Sequence, residues 1–136
     1  MADAAAESTL EEVERDIQRY NSAFIEVNHS GVSSLMRPWM RLPVMVFRNG
    51  SVLALTTHDE LDAHYGRMAG ALNGTGYERS ILDNFAITLV NPTTALVNCH
   101  ARRLKTDGSV LQEFDASYIM ARDVDHWRVA CLLSRR

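Results

Sequence analysis

The sequence is short of several things, and each shortage removes a class of function. It has two cysteines, Cys99 and Cys131, with no CxxC pair and no metal-ligand spacing. Neither a disulfide scaffold nor a zinc site is expected, and both thiols read as buried and reduced. No apolar run approaches the roughly 18 residues that span a membrane. The start, from Met1 through Ala4, Ala5 and Ala6 to Ser8, has no basic segment followed by an apolar one, so it does not read as a signal peptide. A reducing cytoplasm is the expected setting. The formal charge of −3 has the wrong sign for nucleic acid, and aromatic and basic residues do not interleave. No glycine motif cradles a phosphate; Gly70, Gly74 and Gly76 read as a helix end and a turn. No cofactor and no metal are therefore expected. One further absence is local: no Asp or Glu occurs between Glu26 and Asp59.

What remains is an ordinary globular composition, 46% apolar and 23% charged over 136 residues. That length supports one domain. Residues 1–8 are expected to be disordered and residues 9–136 to form the domain. Ser8 and Glu11 read as a capping box. Behind them Leu10, Val13, Ile17, Tyr20, Phe24 and Val27 alternate spacings of three and four, an amphipathic helix over about residues 9–28. A short second helix carries Val32, Leu35 and Met36 and stops at Pro38. Asn49 and Gly50, between two apolar runs, signal a hairpin with a type I′ turn. Thr57 and Glu60 open a third helix bearing Leu61, Tyr65, Met68 and Leu72, which Asn73 and Gly74 end. Four strands follow, over residues 79–90, 95–105, 110–122 and 127–133, joined by short turns.

The turns imply a register. A two-residue turn at Asp107 and Gly108 pairs residues whose numbers sum to 215, so Arg102 meets Glu113, His100 meets Asp115 and Asn98 meets Ser117. A turn at Pro92 and Thr93 sets Asp83 beside Arg102 and Phe85 beside His100. One strand phase is then polar: Asp83, Asn98, His100, Arg102, Glu113, Asp115 and Ser117. The other is small and apolar, with Ala95, Val97, Cys99, Ala101, Phe114, Ala116, Tyr118, Met120, Val129, Cys131 and Leu133. A one-residue slip would exchange them.

Helix, short helix, hairpin, helix and a four-strand meander resembles the nuclear transport factor 2-like superfamily, across roughly residues 9–134. The local cues are Arg19 and Tyr20, the Asp107-Gly108 turn, and the ending Asp125, His126, Trp127, Arg128 and Val129 followed by Ser134. The resemblance implies an α+β, cystatin-like cone. Three N-terminal helices and a short β-hairpin would pack on a curved four-strand antiparallel meander, and the convex face would form a homodimer. Ketosteroid isomerases, scytalone dehydratase and SnoaL-like cyclases share that architecture, and one fold hosts many functions.

Two readings of the strand phases stand. Hydrophobicity places the apolar phase on the helices. The resemblance places the polar phase inside the cone and the apolar phase at the dimer surface, and this is the expectation carried forward. It makes His100, oriented by Asp115, a candidate general base. The isomerase branch implies Tyr20 as donor to a developing oxyanion. Phe24, Tyr65, Phe85, Asn98, Arg102, Ser117 and Leu132 would line the pocket. Arg102 between Asp83 and Glu113 could meet an acidic ligand or be neutralised by them. His29, His58, His64 and His126 read as surface groups at helix ends or a turn. The missing acids between Glu26 and Asp59 argue against ketosteroid isomerase chemistry, as does Ile119 near the place of that branch's second acid. Two functions follow: a pocket for a small, largely apolar molecule, with or without lyase or isomerase turnover, and a non-catalytic oligomerisation module with a vestigial pocket. Neither nucleic acid nor membrane is an expected partner.

Overall fold

The computed structural model describes the backbone of residues 2–134 and the side chains of residues 8–134. Helix α1 (Ala2–Ser30) leads into a 3-10 helix (Ser33–Trp39), and strands β1 (Met40–Arg48) and β2 (Ser51–Leu55) form a hairpin. Helix α2 (His58–Leu72) precedes β3 (Tyr77–Asn91), β4 (Thr94–Lys105), β5 (Val110–Arg122) and β6 (Trp127–Ser134). All six strands form one sheet in the order β2-β1-β6-β5-β4-β3.

This corrects the expected architecture in three details. The hairpin is not a separate layer: β1 pairs parallel with β6 and extends the meander into a six-strand mixed sheet. The middle helix is a single 3-10 element that keeps Pro38 within it and ends at Trp39. At the chain start, the helix runs back to Ala2, so Ser8 lies inside it and caps nothing. Ala4, Ala5 and Ala6 have the highest intrinsic helix propensity, which favours extension over a stop at Ser8.

Local chemistry explains the other boundaries. Asn49 and Gly50 both have positive φ, 51° and 79°, as a type I′ turn requires. The Thr57 hydroxyl accepts the Glu60 N–H at 3.1 Å, and Glu60 reaches back to the Thr56 N–H at 3.1 Å, one residue further than the usual box.

The β4–β5 register matches expectation through two cancelling departures. Lys105 N–H bonds Ser109 O and Gly108 has φ 87°, so the turn is one residue longer than assumed. A bulge between the Arg103–Gln112 and Leu104–Val110 pairs restores the sum of 215. In β3, two bulges shift the partner of His100 to Asp83 instead of Phe85. Asn84, at φ 54°, supplies one of them. The two shifts together preserve the phase of Asp83.

The core settles which phase is inside. Ala95, Val97, Cys99, Ala101, Ala116, Tyr118 and Met120 pack with the stripe Val13, Ile17, Tyr20, Phe24 and Val27 of α1. The polar phase faces outward, which overturns the expectation that it lines the cone. The reason is burial: the α1 stripe packed against β4 and β5 is apolar, and an apolar row opposite it avoids stranding charges. A bulge at Ala130, between the Ile119–Cys131 and Met120–Val129 pairs, flips the end of β6. Val129 shares the inner face with Met120, whereas Cys131 and Leu133 pair with the outward Ile119 and Ser117. The two cysteines thus lie on opposite faces, neither in a disulfide.

One charged side chain does enter the core. Asp16 is fully buried and accepts the backbone N–H of Trp127 at 2.9 Å, tying α1 to the start of β6. Arg15 Nε and Arg19 Nη1 lie 3.1 and 3.6 Å from its carboxylate. Replacing Asp16 by Ala leaves the Trp127 N–H without this acceptor, and urea denaturation should show a loss of about 1–3 kcal/mol. Asp16→Asn retains an acceptor and should lose less.

Candidate functional site

The inner face of the sheet has a small-residue floor. Ala101 of β4 and Ala116 of β5 leave depth that larger inward side chains would fill. Tyr20 and Phe24 of α1, with Tyr118 of β5, occupy part of it; the Tyr20 and Tyr118 rings meet edge to face with centroids 5.6 Å apart. The rest is a cavity of about 100 Å³. Its walls include Leu82, Met68, Phe114 and Leu132, and Tyr20, Asn21, His64, Arg48, Arg103 and Ser134 supply polar groups.

At its inner end the Tyr20 and Tyr65 hydroxyls lie 2.9 Å apart, both side chains buried. Tyr65 also sits 3.8 Å from Met40 Sδ. One O–H is used within the pair: when Tyr65 donates to Met40 Sδ, Tyr20 donates to Tyr65, and when Tyr65 donates to Tyr20, the Tyr20 proton points elsewhere. Burial pushes the Tyr20 phenol up to about 12, against a smaller downward pull from the Tyr65 hydrogen bond. Burial likewise holds Tyr65 and Tyr118 well above the ordinary tyrosine value. These hydroxyls are neutral donors at physiological pH.

Arg103 enters the inner wall from β4. Its guanidinium donates to Gln112 Oε1 at 2.7 Å and lies over the Phe24 and Phe114 rings, 5.4 and 5.2 Å from their centroids. His64 of α2 stands half-buried on the opposite wall, its ring edge-on to Tyr65 at 5.2 Å. Desolvation, followed by the charges of Arg67 and Arg48, holds its imidazole below the ordinary histidine value. His64 is therefore neutral near pH 7 and available as a base.

Of the residues expected at the site, Tyr20, Phe24 and Leu132 line the cavity, and Tyr65 backs it through Tyr20. His100, Asp115, Asn98, Arg102 and Ser117 lie on the outer face, which removes them from it. His100 Nδ1 is 3.0 Å from Asp115 Oδ1 and Nε2 is 3.1 Å from Glu113 Oε2. Both ring nitrogens are engaged, so the imidazole has no nitrogen left for a substrate proton. The hydrogen bonds to Asp115 and then Glu113 raise its pKa. Arg102 donates to Asp83 Oδ2 at 3.0 Å. Ser117 donates to Asn98 Oδ1. Phe85, displaced by the β3 bulge, borders a separate groove with Leu10, Gln18 and Ile87 beside α1.

His64 and Arg103 are the residues the sequence reading missed as cavity groups. Both carried a signal: His64 sits three residues after Leu61 in the apolar stripe of α2, and Arg103 shares the inward phase of Ala101. A polar residue in an apolar phase is the informative exception.

The two histidines titrate in opposite senses. In an NMR pH titration His64 should show a midpoint below the ordinary histidine value and His100 one above it. For His100, stabilisation by its carboxylates is complete below the unfolded pKa and lost as pH rises through the raised folded pKa. The melting-temperature advantage of wild type over His100→Gln should therefore shrink across that window.

Among the described residues no helix is long and apolar enough to cross a membrane, and none group as a metal site. No curated protein matches the sequence. Solved structures similar in fold include an NTF2-like protein with a cystatin-like fold from Novosphingobium aromaticivorans, with TM-score 0.71 and 18% identity over 98% of this chain and 88% of that one. A candidate dehydratase of the NTF2-like family from Streptomyces avermitilis gives TM-score 0.67 and 19% identity over 95% and 96%. A candidate ketosteroid isomerase from Shewanella frigidimarina gives TM-score 0.65 and 11% identity over 88% and 91%. Identities this low speak for the fold alone. The family described as NTF2-like protein (DUF6841) matches residues 11–136. That match covers the hairpin, both faces of the sheet and every cavity residue, and the chain belongs to this NTF2-like family.

Proposed function

We propose that the cone binds a small, largely apolar molecule. The observation carrying this reading is the alanine floor: a domain selected for stability alone would fill about 100 Å³ of apolar space, since a void forfeits dispersion contacts at roughly 24 cal/mol per Å³. A comparable apolar cavity of roughly 150 Å³ accommodates benzene, so the occupant is of single-ring size or lets part of itself protrude. A thermal-shift panel of small aromatic and aliphatic compounds tests the idea. Ala116→Phe should fill the cavity, abolish every ligand-induced shift and leave the apo melting temperature within a few degrees of wild type. Undiminished shifts in Ala116→Phe would remove the cavity as the binding site.

Acid–base turnover of the lyase or isomerase kind is the second reading, and one observation favours it. A neutral imidazole, His64, and a neutral phenol, Tyr20, both border the same cavity. His64 would take the proton and Tyr20 would donate to the oxygen where charge develops. The base role first considered for His100 passes to His64, and Tyr20 keeps the donor role first considered for it. Because His64 is depressed, the acidic limb of the pH–rate profile should fall below the ordinary histidine value, and His64→Gln should remove that limb.

The outer face supports self-association as the partner reading. Ala54, Met45, Cys131, Ile119 and Leu96 form one cross-strand row. Val52, adjacent on β2, is 59% exposed and Ile119 38%. A second copy of the chain would cover this row. Sedimentation of wild type should give a dimer at micromolar concentration and Ile119→Lys a monomer; a wild-type monomer would leave the row without this role.

A further inference from the structure

Resting on the pocket reading, we infer that the molecule the cone takes is a neutral phenol or alcohol, whose hydroxyl donates a hydrogen bond to Asn21 Oδ1 while its hydrocarbon body lies against Leu82, Ala101 and Ala116.

Asn21 is a misfit where it stands. It lies four residues after Ile17 and three before Phe24, on the inward side of α1, and only 7% of it is exposed. Asparagine is a poor helix former, and a buried amide costs free energy unless its hydrogen bonds are made. One is made: Nδ2 donates to Ser80 O of β3 at 2.9 Å. That contact fixes which end of the amide is which, because the Ser80 carbonyl can only accept. The other end, Oδ1, accepts nothing from the described residues, and Asn21 lines the cavity. A carbonyl oxygen has no proton to give, so whatever meets it in the cone must bring one.

A second group is in the same condition. The Ser134 hydroxyl oxygen is buried, lines the cavity and has no hydrogen-bond partner among the described residues. Asn21 is moored to β3 and Ser134 belongs to β6, so the order β6-β5-β4-β3 sets them on opposite sides of the alanine floor. Between them Leu82, Ala101 and Ala116 offer no side-chain hydrogen bond. The lining suits a hydrocarbon body with a polar group at its margin, and excludes a polar body.

The group at that margin is neutral. A carboxylate would set its lone pairs against those of Oδ1, and an ammonium would lose its hydration beside apolar walls. A ketone or an ether brings no donor. A hydroxyl donates and accepts at one atom, so it can give its proton to Asn21 and accept the Tyr20 proton when Tyr65 donates to Tyr20. In the empty cone a solvent molecule can meet Oδ1. A ligand hydroxyl replaces that hydrogen bond, whereas an apolar ligand displaces the solvent and strands the acceptor.

The test is a set of near-isosteric pairs titrated against the full chain and followed by protein amide shifts: phenol against fluorobenzene and cyclohexanol against cyclohexanone, with benzene as the reference for the pocket itself. Wild type should bind each hydroxyl compound at least about five-fold more tightly than its counterpart, the range expected when a buried acceptor is satisfied instead of stranded. Phenol should move the side-chain amide signals of Asn21, and fluorobenzene should move them far less. Asn21→Leu keeps the volume, removes the acceptor and should bring both ratios near one while benzene binds as well as before. Equal binding within both pairs by wild type, or a preference that survives Asn21→Leu, overturns the inference; binding of benzene in either case leaves the pocket reading standing. If none of the five compounds shifts the cavity residues, the pocket reading falls and the inference with it. The wild-type ratios and the Asn21 amide signals decide the matter even if Asn21→Leu fails to fold.

Discussion

A strand can show only every second side chain to each face of its sheet, and β4 and β5 depend on that restriction. Their paired rows separate two chemistries: alanines, cysteine, valine and aromatics inward, with Arg103 and Gln112 as the exception, and histidine, Arg102 and carboxylates outward. The site, the core and the outer surface are all consequences of this division. It holds because the register holds, and the register is protected by compensation. The longer turn at Gly108 would shift every pair by one; the bulge beyond Arg103 takes the shift back before the first cavity residue.

Within the inner face, side-chain size does the next part of the work. Small residues in the floor leave depth, and the helix above fills it with two long aromatics instead of close backbone contact. The result is a lined space and not a collapsed one. Three of its polar groups come from different elements: Tyr20 from α1, His64 from α2 and Arg103 from β4. Each is fixed by a neighbour, respectively Tyr65, the edge of Tyr65's ring, and Gln112 with Phe24 and Phe114. A site assembled from rigid elements in this way needs little ordering when a ligand arrives.

Element order and the limits of the last four strands, to within two residues, were legible in the sequence, because turns and caps are local signals such as Asn49-Gly50 and Thr57 with Glu60; the β4–β5 pairing came out as read only because the longer Asp107-Gly108 turn and the bulge beside Arg103 cancel. The direction of the cone was not. Periodicity states that two faces differ, but which is covered depends on where α1 lies, and that is a tertiary fact. Preference for the polar phase as the interior carried the site to His100 and Asp115, whose mutual contact is real and whose location is the wrong side of the sheet. The β6 bulge at Ala130 leaves no mark in an apolar run, so the phases of Cys131 and Leu133 were misread. The three most telling residues were polar ones inside apolar patterns. Asp16, His64 and Arg103 each broke a stripe, and each has a specific partner or cavity position that explains the break.

The alternation has a historical consequence as well. On β4 and β5, adjacent codons answer to different surroundings: one to the cavity and the helices, the next to whatever meets the outside of the sheet. Substitutions at the two sets are largely uncoupled, since a side chain on one face seldom touches one on the other. A lineage carrying this chain could revise its ligand without disturbing its outer surface, or the reverse, by point changes alone. A single-residue insertion or deletion in either strand would instead trade the two sets wholesale, unless, as happens at the Gly108 turn, a second irregularity nearby undoes it.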